Sequence, residues 1–226
     1  MKVSISQPTL FSWLGYYNII KNSDTFVFFD NVKFEKRSWQ SRNKIKNIVN
    51  GDEHTIWITI PTKHCDQNTL IKDVLIDNSQ NWKDKHLQMF QSHYGNDYKK
   101  ISFISKMYER EWEKLSDFTI EFTKRCCEFL EIKTKILKSS DMDVCGKKSH
   151  LLLDICKKLN ATEYFSSIGA KDYLESDKNI FFDIGINIRY HDYVHPIYSQ
   201  RGKKFLPHLS IIDLLFNEKN SAKNFI

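Results

Sequence analysis

Residues 3–30 read VSISQPTLFSWLGYYNIIKNSDTFVFFD, and this stretch decides the fold. Residues 3–5 form a short apolar strand, and residues 15–22 have the composition of a short helix. Residues 25–29 are a β-favouring apolar run of the kind that parallel sheets bury on both faces. Strand, helix and strand in this order predict a βαβ unit and therefore a parallel sheet.

The rest of the chain extends this unit. Residues 54–60 alternate and end at Pro61, as a strand does, and a weaker strand is predicted over 73–76. Residues 81–130 follow a helical pattern, with helices near 101–108 and 112–129. The last third returns to strands at 134–137, 164–166 and 186–189, with helices at 149–159 and from an N-cap at Ser210. We therefore predict one α/β domain over residues 1–226, with a mainly parallel sheet, flanking helices and a helical insert at about 81–130.

Composition places the chain among soluble globular proteins, with 41% hydrophobic and 27% charged residues. Its five cysteines form no CxxC pair and no zinc-like spacing, which favours reduced thiols in the cytoplasm and no metal site. Neither a signal-peptide pattern at the start nor an apolar run of about 20 residues is present. We therefore expect a soluble cytoplasmic protein.

The positive charge is concentrated in one segment. The formal net charge is +6, and residues 33–46 contain six cations and one anion, a local excess of +5. A focused patch favours binding of phosphate or carboxylate groups. A solvated basic loop is the alternative, and the interleaved aromatic side chains also permit a nucleic-acid-binding module.

The loop after the first strand is the first candidate for a ligand site. Ligands of open α/β sheets bind beyond the carboxyl ends of strands, where a loop enters a helix. Gln7 offers an amide, Trp13 and Tyr16 offer stacking faces, and Gly15 allows close backbone approach. The alternative is a tight connection shaped by its proline and glycine. No GxGxxG or Walker pattern is present.

The basic segment is the second candidate. It supplies cations that can clamp phosphate oxygens, neutral donors, and an aromatic ring for stacking or core packing. These are Lys36, Arg37, Arg42 and Lys46, then Ser38 and Asn43, and finally Trp39. Asp30, at the end of the second strand, is predicted either to transfer protons or to pair with a nearby arginine.

Two turns in the last third complete the predicted site. The stretch after the strand at 164–166 contributes Ser167, Gly169 and Tyr173, and the stretch after the strand at 186–189 contributes Tyr198 and Gln200. His191 is a candidate general base, because an imidazole titrates near neutral pH. A structural role for this histidine is the alternative.

At these residues the chain resembles the WbqC-like family of bacterial proteins. The matching patterns are Gln7-Pro8 with Trp13-x-Gly15-Tyr16, Asp-x-Phe-Val-x-x-Asp over 24–30, and Lys-Arg-Ser-Trp-Gln-x-Arg-Asn-x-Ile over 36–45. The likeness continues through Thr-Ile-Pro at 59–61, Tyr-x-Ser-x-x-Gly-Ala-x-x-Tyr at 164–173, Pro-x-Tyr-x-Gln at 196–200, and Leu-Ser-Ile-x-Asp-Leu-Leu-Phe-Asn at 209–217.

The resemblance implies a role in the assembly of O-antigen or another surface polysaccharide, as an acyl- or aminoacyltransferase with glycine as the suggested group. It implies a nucleotide- or lipid-linked amino sugar as acceptor, and an aminoacyl-tRNA or an acyl-adenylate as donor, with no firmly implied cofactor. A weaker likeness is to nucleotidyltransferases and ligases, which carry Gly-His where this chain has Gly15-Tyr16. The alternatives are therefore a tRNA-binding module, a nucleotidyltransferase- or ligase-like enzyme, and a scaffold of the assembly complex.

Overall fold

The computed structural model describes residues 1–226 and contains a five-stranded parallel sheet in the order β5-β2-β1-β6-β7. The strands are β1 Lys2–Ser6, β2 Thr25–Phe28, β5 Lys135–Lys138, β6 Glu163–Ser167 and β7 Asn187–His191. The predicted α/β class with a mainly parallel sheet and flanking helices is confirmed. Each predicted strand of this sheet is present to within two residues at either end.

Helices cover both faces of the sheet. On one face, Phe26 and Phe28 pack with a large apolar cluster that includes residues of α1 Leu14–Lys21, α2 Trp82–Tyr94, α3 Ser102–Glu109, α4 Leu115–Phe129 and α8 Ile211–Glu218. On the other face, Val3, Ile5 and Val27 pack with residues of α5 Ser149–Lys158, α6 Lys171–Ser176 and α7 Lys178–Phe182. The middle third is helical as predicted, apart from a short 3-10 stretch at Gly95–Lys100. No helix has both the length and the apolar character needed to cross a membrane.

The strand order places a topological switch point between β1 and β6. Connections from β1 towards β2 and β5 use helices on one face, whereas those towards β6 and β7 use helices on the other face. In sheets of this kind the loops at the switch point separate and leave a crevice at the carboxyl edge. The loop after β1, which carries Gln7 and Trp13, borders that point.

A β-hairpin stands apart from the main sheet. Its strands are β3 Arg42–Val49 and β4 Asp52–Thr59, paired antiparallel with Lys44 opposite Trp57. The prediction of a strand at 54–60 is confirmed. The alternative of a solvated basic loop over residues 33–46 is wrong from Arg42 onward, because this part is a strand in which Ile45 enters the core opposite β4.

The predicted strand at 73–76 is also wrong. A 3-10 turn occupies Ile71–Asp73, and Leu75 and Ile76 form only isolated bridges with Lys114 and Thr62. No neighbouring strand is available to extend the pairing. The last helix begins after Ser210 as predicted, although the serine hydroxyl makes no capping hydrogen bond.

Residues 192–209, which we call the strap, follow β7 without regular structure and cross the hairpin. Glu53 holds the strap, since its carboxylate accepts hydrogen bonds from the backbone N–H groups of Lys203 at 2.5 Å and Lys204 at 3.0 Å. The same carboxylate pairs with buried Lys46, with 2.7 Å between Nζ and Oε2. Gly202 adopts φ +87°, and a Cβ there would lie 2.6 Å from the Glu53 carboxylate, so this position requires glycine.

A buried aspartate anchors the strap to α8. The hydroxyls of Tyr94 and Tyr198 each donate a hydrogen bond of 2.8 Å to the Asp213 carboxylate. Gln200 donates to the Tyr198 oxygen at 3.1 Å and to the Leu206 carbonyl at 2.9 Å. Burial raises the pKa of Asp213, and the two tyrosine hydrogen bonds act in the opposite direction.

The Glu53 contact makes the stability of the fold depend on pH. Lys46 and the strap amides lower the Glu53 pKa from 4.5 to about 2. A carboxylate whose folded-state pKa is lowered stabilises the fold above its unfolded pKa and loses that effect as pH falls through the folded value. The difference in melting temperature between the wild type and Glu53→Gln should be largest above pH 5 and vanish near pH 2. Thermal unfolding between pH 2 and 7 measures it, and a difference independent of pH would contradict this role.

Candidate functional site

Hydrogen bonds fasten the loop after β1 to the basic segment. The Asn43 side-chain amide donates to the carbonyl oxygens of Leu10 at 2.8 Å and Phe11 at 3.0 Å. The Leu10 N–H donates to the Trp39 carbonyl at 2.9 Å. The first loop and the basic segment, separate in sequence, therefore form one continuous structure.

Two side-chain amides add to this connection. The Gln40 amide donates to Gln7 Oε1 at 2.8 Å, and Gln40 Oε1 accepts the Glu35 N–H at 3.0 Å. Gln7 therefore orients the basic segment through Gln40, a residue that sequence reasoning did not assign to the site. Gln40 directly follows Trp39 within the family-like pattern at 36–45, and this position could have marked it as a site residue.

One cavity at this junction is aromatic. It has a volume of about 350 Å³, and we call it the aromatic cavity; its lining is Thr9, Ser12, Trp13, Tyr16, Trp39, Asn43 and His208. The Trp13 indole lies across α1, where the missing side chain of Gly15 makes room for it. The predicted residues Trp13, Tyr16, Trp39 and Asn43 thus meet around one space.

Most polar atoms of the aromatic cavity are already hydrogen-bonded within the protein. The Tyr16 hydroxyl donates to the Gln7 carbonyl at 2.9 Å, and the hydroxyls of Thr9 and Ser12 share a hydrogen bond of 2.5 Å. The Asn43 amide donates to the Leu10 and Phe11 carbonyls. Burial raises the Tyr16 pKa, so this phenol stays protonated.

His208 differs from these hydrogen-bonded groups. Its imidazole is exposed and makes no side-chain hydrogen bond, although its backbone N–H donates to His195 Nε2 at 3.2 Å. The residue adopts a left-handed backbone with φ +60°, a conformation uncommon outside glycine. Its ring packs edge-on against Trp13 at 5.3 Å.

A second cavity is cationic. It has a volume of about 440 Å³, and we call it the cationic cavity; its lining is Lys36, Arg37, Ser41, Arg42, Thr59, Ile60, Pro61, Thr62, Lys63 and His64. Five of these residues are basic and none is acidic. None of the five forms an ion pair with a carboxylate. The charges of Lys36, Arg37, Arg42 and Lys63 are therefore free to bind an anion.

Aromatic side chains connect the two cavities. Trp39 lines the aromatic cavity, and its ring centroid lies 5.3 Å from that of Trp57. The Arg42 guanidinium lies 4.1 Å from the Trp57 ring centroid and lines the cationic cavity. Arg42 Nε is buried without a hydrogen-bond partner, so stacking on Trp57 is what orients this guanidinium.

Trp39 and Trp57 are 50% and 41% exposed. The alternative that the Trp39 ring packs in the core is therefore wrong. Its backbone is held by Leu10 while its ring stays at the surface. Trp57 was not predicted as a site residue, since alternation in β4 indicates only that it faces away from Ile58.

The structure places Lys46 and Ser38 in internal contacts. The Lys46 ammonium is buried against Glu53 and donates to the Lys204 carbonyl at 2.5 Å. The Ser38 hydroxyl donates to the Glu35 carbonyl at 2.7 Å. Neither side chain lines either cavity.

The two predicted proton-transfer residues also lie outside both cavities. Buried Asp30 accepts hydrogen bonds from the Ser140 N–H at 2.9 Å and from the hydroxyls of Ser139 at 3.0 Å and Ser140 at 2.6 Å. It therefore joins β2 to the end of β5, and the alternative pairing of Asp30 with an arginine does not form. His191 shares a hydrogen bond of 2.8 Å with Asn18, and burial lowers its pKa.

The predicted residues of the last third lie away from the two cavities. Ser167, Gly169 and Tyr173 are exposed around the turn after β6. Tyr198 and Gln200 belong to the buried network that anchors the strap to Asp213. The strap instead contributes His208, which sequence reasoning did not single out.

Lys63 and His64 were also missed. They follow the end of β4 closely, and functional side chains are often found just beyond strand ends. That position was the signal that sequence analysis could have used. No group of three or more His, Cys, Asp or Glu side chains in the structure can hold a metal ion.

Comparison with known proteins gives a family match over almost the whole chain. The model of the WbqC-like protein family matches residues 7–225. The chain is 29% identical over 231 aligned positions to a protein of Mycobacterium tuberculosis (strain ATCC 25618 / H37Rv) named "Uncharacterized protein Rv1507c". That alignment covers 100% of this chain and 97% of the relative. No solved structure matches the chain significantly.

Gly15→Ala tests how the aromatic cavity is built. A Cβ at this position would lie 2.3 Å from the Trp13 ring, so the indole has to move. We expect a displaced Trp13 indole N–H resonance in NMR spectra and a loss of stability of about 1–3 kcal/mol. Gly169→Ala is the matched control, since a Cβ there meets nothing within 4 Å. An unmoved Trp13 resonance would show that the glycine is not what admits the ring.

Proposed function

The chain belongs to the WbqC-like protein family, and we propose that it is a transferase that places an acyl or aminoacyl group on the amino group of a phosphate-linked sugar. The setting that we propose is the assembly of a bacterial surface polysaccharide. One observation carries the proposal: five basic side chains surround the cationic cavity with no carboxylate among them.

A phosphate-bearing substrate fits this cavity better than a simple carboxylate. One carboxylate is satisfied by a single arginine fork, whereas a diphosphate presents several oxygens and more than one negative charge. Arg37 and Arg42 supply planar donors, Lys36 and Lys63 supply ammonium groups, and the hydroxyls of the lining add neutral donors. A field of one sign in a concave site also raises the local concentration of anionic substrate.

The proposed reaction needs a proton acceptor beside the phosphates. The acceptor amine attacks the carbonyl carbon of the activated acyl group, and the bond from that carbon to the donor oxygen breaks. The amine nitrogen loses a proton, and the donor oxygen leaves as the tRNA hydroxyl or as the phosphate of the adenylate. His64 lines the cationic cavity, and imidazole is suited to accept this proton near neutral pH. We therefore assign the base to His64 in place of Asp30 or His191.

Binding to an RNA such as tRNA is the second candidate function. The observation that favours it is the pair of exposed rings, Trp39 and Trp57, beside Arg42 and Lys44. Single-stranded nucleic acid binds surfaces of this kind through base stacking and phosphate contacts. If tRNA is only the donor, binding and sugar modification will both occur; if the protein is an RNA-binding module, no sugar product will form.

The cationic cavity is tested by calorimetric titration with inorganic pyrophosphate. Loss of a charged hydrogen-bonding group is worth about 1.5–3 kcal/mol, so Arg42→Gln should weaken binding about 10- to 150-fold. Lys157→Gln is the matched control, since Lys157 is an exposed cation of α5 outside both cavities. Equal affinities of the two variants, or no pyrophosphate binding by the wild type, would contradict the proposed anion site.

The reaction is tested with mass-spectrometric detection of products. Purified protein is mixed with nucleotide-linked or lipid-linked amino sugars and with glycyl-tRNA or glycyl-adenylate. His64→Gln should lower the rate of product formation by about 10²- to 10⁴-fold while leaving pyrophosphate affinity nearly unchanged. tRNA binding that weakens steeply with salt, without any product from any pair, would favour the RNA-binding function instead.

A further inference from the structure

We propose that the aromatic cavity binds the base of a nucleoside diphosphate whose phosphates occupy the cationic cavity. This inference deepens the proposed function, because it rests on the anion site and selects a nucleotide-linked sugar over a lipid-linked one. The sugar and its amino group would then lie beyond the phosphates, near His64.

The chemistry of the aromatic cavity favours a planar ring over a sugar. Its walls include the rings of Trp13, Tyr16 and Trp39, and it has a volume of about 350 Å³. A sugar presents hydroxyls on all sides and needs many free hydrogen-bond partners. Here the Tyr16 hydroxyl and the Asn43 amide are already bonded to backbone carbonyls. A flat base needs stacking faces and only a few polar contacts, which is what the cavity offers.

The His208 side chain is free to form a hydrogen bond at this cavity. Its imidazole makes no hydrogen bond within the protein, and its backbone is held by His195 in a left-handed conformation. Non-glycine residues in this conformation are concentrated at functional sites, where the surrounding structure fixes them. The imidazole can therefore contact the polar edge of a base stacked on Trp13 or Trp39.

The connection between the cavities favours one ligand rather than two. Trp39 borders the aromatic cavity, contacts Trp57, and through it adjoins the Arg42 guanidinium of the cationic cavity. A base and its diphosphate are likewise joined covalently through a short ribose. An isoprenoid chain, by contrast, needs an apolar groove, and eight of the ten residues that line the cationic cavity are polar or charged.

The test compares four ligands by calorimetry: uridine diphosphate, adenosine diphosphate, farnesyl diphosphate and inorganic pyrophosphate. Wild-type protein should bind at least one nucleoside diphosphate more tightly than pyrophosphate. Stacking of one base on an aromatic side chain corresponds to about a 5- to 150-fold gain in affinity. Trp39→Ala should abolish most of that gain and leave pyrophosphate affinity unchanged.

Two matched variants separate stacking from general effects. Trp39→Phe keeps an aromatic face and should restore most of the preference for the nucleoside diphosphate. Phe182→Ala removes an exposed ring of α7, 73% accessible and outside both cavities, and should change nothing.

The outcomes distinguish this inference from the proposed function. Pyrophosphate that binds as tightly as both nucleoside diphosphates, with no effect of Trp39→Ala, overturns the inference and leaves the anion site in place. Farnesyl diphosphate that binds more tightly than the nucleotides, independently of Trp39, also overturns it and supports a lipid-linked substrate. If none of these ligands binds, the proposed function and the inference are both wrong.

Discussion

The buried carboxamide of Asn43 is the contact on which the proposed site depends. The side chain is 3% exposed and donates to two consecutive carbonyls of the first loop, those of Leu10 and Phe11. Without Asn43 the Leu10 carbonyl would be buried without a partner, at a cost of about 1–3 kcal/mol, and the Phe11 carbonyl would keep only the Ile211 N–H at 3.2 Å. Phe11 adopts φ +47°, which this fastening helps to maintain. Arg42 and Asn43 are the first two residues of β3. Asn43 fastens the first loop, and Arg42 places its guanidinium in the cationic cavity.

Burial explains why the cations of the basic segment have different roles. Lys46 is removed from water, and a buried charge requires a partner, which Glu53 and the strap provide. Arg42 is half-buried and stacks on Trp57 instead of pairing with a carboxylate. Lys36 and Arg37 are exposed and remain hydrated. The same run of positive residues thus supplies one structural contact and several free charges.

The parallel sheet could be predicted because its signal is local. The apolar run at 25–29 and the helical residues before it predict a βαβ unit independently of the rest of the sequence. The strand from Arg42 was missed because Ile45 is the single apolar residue between positions 42 and 47, and because polar Asn43 and Lys46 are buried beside it. The pairing of Ile45 with Ile56 becomes visible only in the structure. Its partner strand, rich in β-branched residues, could be recognised alone.

The candidate site was predictable only where its residue types are unusual for loops. Trp13 was recognised between Pro8 and Gly15, and Trp39 and Arg42 were recognised in the basic run at 33–46. His64 is marked only by its position just beyond the end of β4, and no local pattern marks His208. Asp30 is a structural residue because Ser139 and Ser140 reach it from 109 and 110 positions away, a contact that spacing in the sequence cannot show.

NMR titration of the isotope-labelled protein with uridine diphosphate tests most directly whether the two cavities form one site. The indole N–H of Trp13 reports on the aromatic cavity, and the Nε–H of Arg42 reports on the cationic cavity. Trp82 and Trp112 donate to internal oxygens and serve as references within the same spectrum. A single two-cavity site predicts that Trp13 and Arg42 shift together with one dissociation constant while the references stay in place. Saturation of Arg42 with no shift of Trp13, or two different dissociation constants, would contradict it.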